Sequence, residues 1–359
     1  MRIGIDAREL CGHPTGAGRY LSGLLAQWAV DEPAQRHEFI LYAHQPPATA
    51  LDARRFTTRL VGGTGGTRWE QQHLPAAMSR DLLDAFFAPA YTAPLFTRQP
   101  IVVAIHDVSF AAHPEWFTAR EGLRRRLMTR RSAAVARAVT TLSEFSKREL
   151  IERLSVPASK IHVIRPGVTS PASGSPPPLS TSPRVLYVGS IFNRRHVPDV
   201  IRAFGRLART HADICLDLVG DNRTHPHEDI LAAMARQRVD HRITWHRFLP
   251  DDELRALYAS ARAFVFLSEY EGLGLTPLEA LSVGIPSVLL DTPIARESCG
   301  PAALYAREGD IAAVASMIEA LLFDQPTRQR VLTAAPGVLA RYDWMRAARE
   351  TLAVIESAQ

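Results

Sequence analysis

Short apolar segments alternate with longer amphipathic ones along nearly the whole chain, and the pattern occurs twice. In the first half the predicted strands are RIGIDA, HEFILYA, LDAFFAP, PIVVAIHD, ARAVTTLS and IHVIRPG. Helical patterns such as GRYLSGLLAQWAV and FSKRELIERL lie between several of them. Alternation of this kind predicts a parallel sheet with helices on both faces.

The composition changes after Pro166, where PGVTSPASGSPPPLSTSPR is dense in Pro, Ser and Gly and predicts a linker. The alternation then restarts, and the further predicted strands are RVLYVGS, ICLDLVGD, RITWHRFL, RAFVFLS and PSVLLD. We therefore predict an α/β protein with two Rossmann-like, doubly wound domains facing a central cleft. Open parallel sheets bind ligands at the carboxyl ends of their strands, so the cleft is the expected site.

Length and composition agree with two ordinary globular domains. The chain has 359 residues, of which 46% are apolar and 22% charged. No apolar run reaches the roughly 18–20 residues of a membrane helix, and MRIGIDAREL lacks a signal-peptide pattern. Cys11, Cys215 and Cys299 are too far apart for a paired metal or disulfide spacing. These features predict a cytoplasmic protein.

The net charge is +5, which favours anionic partners. Seven arginines and one acid lie between Arg120 and Arg137. This segment could be an ordinary solvated helix face, or a patch that contacts acidic lipid headgroups or a lipid-diphosphate acceptor. Nucleic acid is not the expected partner, because no aromatic residues are interleaved with the arginines.

The segment EGLGLTPLEAL follows a predicted strand and has a carboxylate on each side of two glycines. Thr276 is a suitable N-cap, Pro277 suits the first helical position, and Glu279 then completes a Thr-x-x-Glu capping box. In that interpretation Gly272 and Gly274 are ordinary turn glycines.

The same geometry also suits a nucleotide. A glycine-rich turn before a helix exposes backbone N–H groups, and the helix dipole favours a diphosphate there. Glu279 could then accept hydrogen bonds from ribose hydroxyls. Glu271 has no capping role, and a carboxylate beside a phosphate site is costly unless it contacts something else, such as sugar hydroxyls.

Glu271, seven intervening residues and Glu279 resemble the E-x7-E signature of the retaining glycosyltransferases of family GT4, which have the GT-B fold. Further segments resemble that family in the right order along the whole chain. They are IDAREL with PTGAGRY, DAFFAPAYTAP, HDVSFAAHPEWF, TTLSEFSKREL, IHVIRPGV, LYVGSIFNRRH and YDWMRAARETLAVI. The ordered set is far more specific than the two glutamates alone.

The resemblance implies that the C-terminal domain holds a sugar nucleotide. Glu279 would bind the ribose, and Glu271 would contact hydroxyls of the transferred sugar. The amides of Leu275 and Thr276, beyond the turn glycines, would help to hold the diphosphate.

The resemblance also implies roles for four more residues. Arg194 and Arg195 would neutralise the diphosphate, although the family usually has Arg-Lys there, and both could be exposed loop arginines. His106 would bond the 6-hydroxyl of the donor sugar, or is structural at its strand end. Gly16 would let its loop approach the donor phosphate, or is a turn glycine.

The resemblance also implies the domain plan and the chemistry. An acceptor-side domain would span 1–168 with the crossover 342–359, a linker 169–183, and a nucleotide-sugar domain 184–341; Trp344 would anchor the crossover. We expect hexosyl transfer with retention by front-face attack, with the leaving phosphate taking the acceptor proton. No cofactor is expected beyond the sugar-nucleotide substrate, and no metal site, since no H-E-x-x-H spacing is present.

Donor and acceptor are predicted from the same resemblance. HDVSFAAHPEWF and PTGAGRY look most like bacterial mannosyl- and rhamnosyltransferases of surface polysaccharide assembly, which favours GDP-mannose. The acceptor would be a glycan, on a polyprenyl diphosphate for example, with the enzyme on the cytoplasmic face of the inner membrane through Arg120–Arg137. GGTGG at 62–66 would border the acceptor site. Two alternatives stay open, a non-transferring GT-B enzyme such as a sugar-nucleotide epimerase, and a catalytically silent sugar-nucleotide-binding subunit.

Overall fold

A computed structural model describes residues 1–12, 16–48, 50–171 and 183–359. The chain divides into two compact units, Met1–Gly167 with Tyr342–Gln359, and Val168–Arg341. Each unit is built on one sheet in which every strand pair is parallel. The prediction of two Rossmann-like α/β units is thereby confirmed. Most of the predicted linker, 172–182, lies outside the described residues.

The first unit contains a seven-stranded sheet of order β3-β2-β1-β4-β5-β6-β7. Its strands are β1 (Arg2–Asp6), β2 (Glu38–Ala43), β3 (Phe56–Leu60), β4 (Ala85–Ala88), β5 (Ile101–Ala104), β6 (Ala138–Thr141) and β7 (Ile161–Val163). Its helices are α1 (Gly16–Val30), α2 (Leu74–Met78), α3 (Ser109–Ala112), α4 (Ala119–Val135), α5 (Glu144–Leu154) and, at the C-terminus, α14 (Trp344–Ser357). The central strands β4 and β5 are buried at every position, as expected where helices cover both faces.

The second unit contains a six-stranded sheet of order β10-β9-β8-β11-β12-β13. Its strands are β8 (Arg184–Val188), β9 (Cys215–Val219), β10 (Ile243–His246), β11 (Ala261–Phe266), β12 (Ser287–Leu290) and β13 (Ala303–Ala306). Its helices are α6 (Val197–Leu207), α7 (Ile230–Ala235), α8 (Asp251–Ser260), α9 (Leu275–Ser282), α10 (Pro293–Cys299), α11 (Ile311–Phe323), α12 (Gln325–Thr333) and α13 (Ala335–Leu339).

Two strands are absent from the sequence prediction, and each lies at an edge of its sheet. β3 exposes four of its five residues, and β13 is only half-buried in its middle. An edge strand has a neighbour on one side only and needs fewer apolar side chains. The β3 segment, FTTRL, accordingly lacks the continuous apolar run by which the inner strands are recognised, whereas β13, ALYA, is apolar but only four residues long.

The C-terminal helix α14 belongs to the first unit and packs on α1. Trp28 Nε1 donates a 2.9 Å hydrogen bond to the carbonyl oxygen of Ala348. The Trp344 ring fills the space beside Gly23 and Gly167, where an added Cβ would come within 2.5 Å and 2.2 Å of ring atoms. Glycine at these two positions therefore allows the indole to lie directly against the backbone.

Helix α4 carries most of the arginine-rich segment on its solvent side. Its exposed arginines are Arg120, Arg124, Arg125, Arg126, Arg130 and Arg131. Leu123 and Leu127, one turn apart, are exposed on the same helix. Among the helices of the described ranges, none is long and apolar enough to cross a bilayer.

Each sheet reverses its strand order once, between β1 and β4 in the first unit and between β8 and β11 in the second. Ligands of doubly wound sheets bind beyond the carboxyl ends of the strands at such a reversal. The loops after β1 and β4, and those after β8 and β11, are therefore the positions at which a site is expected.

Candidate functional site

The loop after β8 places two arginines at the reversal point of the second unit. A 3₁₀ turn over Asn193–Arg195 leads into α6. At the start of the loop, Gly189 has φ +152°, and its carbonyl oxygen would lie 2.0 Å from a Cβ added to Gly220. The two glycines let the ends of β8 and β9 approach closely, and this sets the direction of the loop.

Arg195 forms an ion pair with Glu271, which lies on the loop after β11. Its Nε and Nη2 are 2.8 and 2.7 Å from Glu271 Oε1, and Nη1 donates to the Ser190 carbonyl oxygen at 2.9 Å. The two side chains are only 13% and 17% exposed. Burial opposes the charge of the guanidinium, but the attraction of Glu271 outweighs it and raises the pKa of Arg195. The Arg195 guanidinium therefore stays charged despite its burial.

Glu271 is held from two directions. Ser268 Oγ donates to the same oxygen, Oε1, at 2.8 Å. The backbone N–H of Glu269 donates to the Arg194 carbonyl oxygen at 2.9 Å, which joins the two loops directly. Because Arg195 and Ser268 both bond Oε1, the orientation of the carboxylate is set before any ligand binds.

Arg194 differs from its neighbour in its surroundings. Its guanidinium lies over the ring of Phe192 at 4.3 Å, and the residue is half-buried. Arg195 pairs with Glu271, whereas the Arg194 guanidinium contacts the face of an aromatic ring. Sequence analysis treated the two arginines alike, and the structure separates them.

The capping box predicted in EGLGLTPLEAL is wrong. Helix α9 begins at Leu275, and its N-cap is Gly274 with φ +83° and no side-chain cap. Thr276 and Pro277 therefore lie inside the first turn. The left-handed conformation, which glycine adopts without strain, starts the helix two residues earlier than a threonine cap would. The first N–H groups of the helix, on Leu275 and Thr276, have no partner within the helix.

Glu279 lies in the body of α9 and meets a different partner. Tyr258 Oη donates to Glu279 Oε2 at 3.4 Å. Glu279 is half-buried, whereas Gly272 is buried in the turn before the helix. A glutamate carboxylate in this position can accept hydrogen bonds from the two hydroxyls of a ribose. It does not cap the N-terminus of the helix.

An apolar pocket of about 20 Å³ lies beneath this turn, with Glu271, Ser268 and Gly274 on its wall. Cys299 closes it, and burial raises the pKa of that thiol to about 12. The volume is that of a single water molecule. The pocket therefore supports the turn and is too small to admit a sugar.

His106 and Gly16 lie in the first unit. His106 is 7% exposed, its Nε2 is 2.7 Å from the Pro89 carbonyl oxygen, and the rings of Tyr20 and Tyr91 meet it edge-on at 4.8 and 5.5 Å. Burial lowers the pKa of His106, so the imidazole is neutral. Gly16 is the first residue of α1, next to residues outside the described ranges.

At the reversal point of the first unit the structure shows a charged cluster that the sequence analysis missed. Arg8 Nη2 is 3.0 Å from Asp6 Oδ2 and contacts Glu70 Oε1, which also accepts from Thr92 Oγ1 at 2.5 Å. Burial, with the charge of Glu70, raises the pKa of Asp6 to about 6 against the opposing effect of Arg8. The signal available was an acid at the end of the first strand, but its partner Glu70 is distant in the chain.

A polar pocket of about 260 Å³ opens beside this cluster. Its wall includes Arg8, Glu9 and Glu70, the last two glycines of the GGTGG segment, and Arg124 and Arg125 of α4. Arg124 Nη1 donates to Thr67 Oγ1 at 3.2 Å, which ties α4 to the glycine-rich loop. The first unit thus has a polar pocket lined by three arginines and two glutamates.

Two glycosyltransferase family models match this chain, one for each unit. The model described as Glycosyltransferase Family 4 matches residues 14–171, and that described as Glycosyl transferases group 1 matches residues 174–337. The O-antigen chain mannosyltransferase B of Escherichia coli is 27% identical over 264 residues, 70% of this chain and 68% of that protein. The GDP-mannose:cellobiosyl-diphosphopolyprenol alpha-mannosyltransferase of Xanthomonas oryzae is 27% identical over 302 residues, 80% of this chain and 77% of that protein.

The fold comparison covers the chain almost completely. The crystal structure of the Anabaena protein HepE in complex with UDP-glucose superposes with a TM-score of 0.77 at 18% identity, over 99% of both chains. The likeness shows the shared GT-B architecture of two Rossmann-like domains. With one family model on each unit and the solved fold across both, the chain belongs to the family 4 glycosyltransferases.

Proposed function

We propose that the protein transfers a mannosyl group from GDP-mannose to a hydroxyl of a glycan or glycolipid acceptor, with retention at the anomeric carbon. The observation that carries the proposal is the ion pair between Arg195 and Glu271 at the reversal point of the second unit. Its carboxylate is held in place beside a helix N-terminus and a second arginine. The names of the two mannosyltransferase relatives support the choice of donor.

Each group would have a distinct role. Glu279 binds the ribose, and the amides of Leu275 and Thr276 with the Arg194 guanidinium stabilise the diphosphate. Arg195 orients Glu271, which meets the sugar hydroxyls through Oε2 because Oε1 already accepts from Arg195 and Ser268. His106 and Gly16 keep their predicted roles as donor contacts.

Negative charge develops on the diphosphate as the bond from the anomeric carbon to the phosphate oxygen breaks. Preorganised donors aimed at that charge lower the barrier most. The acceptor oxygen bonds to the anomeric carbon on the face that the diphosphate leaves, and its proton passes to the departing phosphate oxygen. This sequence needs no protein nucleophile and no metal ion.

Nucleotide binding is expected to raise the melting temperature selectively with GDP and GDP-mannose. A ligand at a hundred times its Kd adds about 2.7 kcal/mol, or roughly 5–10 °C for a domain of this size. Thermal unfolding with the GDP, UDP, ADP and dTDP series measures it. Selective stabilisation by another base would reject GDP-mannose and keep the site. Absence of a shift with any nucleotide would reject the site.

A matched pair of variants locates the bound nucleotide. Glu279→Gln removes the charged acceptor for the ribose and should weaken GDP binding about 10- to 100-fold, since a hydrogen bond to a charged group contributes about 1.5–3 kcal/mol. Glu253→Gln, an exposed residue of α8, makes the same chemical change and should leave binding unaltered. Equal loss in both variants would contradict the assignment of Glu279.

We further propose that the acceptor binds in the polar pocket of the first unit as a lipid diphosphate. Arg124 and Arg125 line that pocket, and a guanidinium group can bind two phosphate oxygens at once. Arg124 belongs to α4, whose outer face carries arginines around Leu123 and Leu127. Such a face suits the surface of an anionic bilayer, where the lipid end of the acceptor resides.

Neutralising three arginines of α4 should weaken vesicle binding about 100-fold. Arg126→Gln, Arg130→Gln and Arg131→Gln together remove about 1 kcal/mol each of attraction to anionic lipid. Co-sedimentation with vesicles containing phosphatidylglycerol measures the effect. The control replaces three exposed arginines of the second unit, Arg206, Arg209 and Arg236, and makes the same change in net charge. Equal loss in control and variant, or unchanged binding in the variant, would reject the membrane contact.

A further inference from the structure

Three loops of the second unit bring one imidazole and two carboxylates together. His196 lies between the Asn193–Arg195 turn and α6, Glu269 lies after β11, and Glu308 lies after β13. None of the three has a role in the proposed transfer. Because they are far apart along the chain, no sequence spacing indicates the group.

The geometry is that of a chelating site. One ligand atom from each residue lies within 4.8 Å of the other two. Tetrahedral ligands at about 2.1 Å from a divalent ion lie about 3.4 Å from one another, so the three side chains must rotate inward to bind it. His196 Nε2 is shielded from solvent and contacts Glu269 Oε1 directly.

The charges favour a cation as well. Glu269 and Glu308 carry two negative charges against a single imidazole. A divalent ion would neutralise both carboxylates, whereas the single imidazole can neutralise at most one.

We propose that His196, Glu269 and Glu308 bind a borderline divalent cation of the Zn²⁺ class. One nitrogen and two carboxylate oxygens suit such an ion, whereas Mg²⁺ prefers oxygen ligands alone. Arg195 precedes His196 directly, and Glu269 lies two residues before Glu271. A bound ion would therefore clamp the loops that carry the ion pair, with no step of sugar transfer passing through it.

The test is calorimetric titration of the EDTA-treated full chain with ZnCl₂ and, separately, MgCl₂. We expect zinc binding that Glu308→Gln weakens at least tenfold, a melting temperature raised by zinc, and no binding of magnesium. Glu308 is exposed, so its replacement leaves the fold intact. His196→Asn is a second variant, because asparagine tolerates the φ of +45° at this position and lacks the imidazole.

The control is another histidine–glutamate pair on the same unit. His211 Nε2 is 2.6 Å from Glu319 Oε1. Glu319→Gln should leave zinc binding unchanged. Zinc affinity that is unaltered in Glu308→Gln, or reduced equally in Glu319→Gln, would overturn the proposal. The readout is binding and stability, so its failure leaves the proposed transfer untouched.

Discussion

Replacing Glu271 with glutamine is expected to reduce sugar transfer about 100- to 1,000-fold, the loss typical when one preorganised transition-state contact is removed. The amide oxygen can still accept from Arg195 and Ser268. The NH₂ group of the glutamine, however, takes the place of Oε2. It donates hydrogen bonds, whereas Oε2 would accept them from the sugar hydroxyls. Steady-state kinetics should show kcat and kcat/KM falling together, with GDP affinity nearly unchanged.

The Glu271→Ala variant tests how much the ion pair contributes to stability, apart from its role in sugar transfer. Glu271→Ala leaves Arg195 charged and without its partner at a site where the two side chains are only 13% and 17% exposed. The free energy of unfolding should fall by about 3 kcal/mol, as when one partner of a buried pair is removed. Asp291→Ala breaks the exposed pair with Arg296 and should cost less than about 1 kcal/mol.

Two results would contradict this account of Glu271. If Glu271→Gln transfers sugar at the normal rate, the carboxylate serves only to neutralise Arg195. If GDP affinity falls as much as turnover, Glu271 acts in nucleotide binding rather than on the sugar.

Replacing Gly220 with alanine should lower the free energy of unfolding by about 3 kcal/mol or more. The added Cβ would lie 2.0 Å from the Gly189 carbonyl oxygen, a contact with backbone that no rotamer can relieve. The φ of +147° is a second obstacle to a side chain. The clash can be relieved only if the Gly189–Ser190 segment moves. The Ser190 carbonyl oxygen accepts a hydrogen bond from Arg195, so this movement would displace Arg195. We therefore expect sugar transfer to be lost together with stability.

Urea denaturation measures the effect, and Gly284→Ala is the control. Gly284 has φ +77° but no atom within 4 Å of an added Cβ, so only the left-handed backbone cost of about 1–2 kcal/mol applies. If the two substitutions prove equally costly, the close approach of β8 and β9 is not what requires glycine at position 220.

The inner strands could be predicted because burial on both faces demands continuous apolar segments, as in AFFA of β4 and VLYV of β8. The edge strand β3 escaped prediction because its segment, FTTRL, mixes polar and apolar residues, whereas the apolar composition of β13, ALYA, does not explain why it was not predicted. The start of α9 was predicted wrongly for a local reason. Threonine and glycine are both common N-cap residues. Gly274 is the N-cap here because its φ is left-handed, and the sequence does not reveal that backbone angle.

The amino-acid sequence by itself determined the two parallel sheets, the family and the segments that carry Arg194, Glu271 and Glu279. Only the tertiary structure decided which of these side chains meet. Strand order brings the loops after β8 and β11 together, so that Arg195 pairs with a glutamate 76 residues away. It likewise gathers Asp6, Arg8 and Glu70 in the first unit. Apolar patterns are local and determine elements, whereas ion pairs between loops depend on how sheets order their strands.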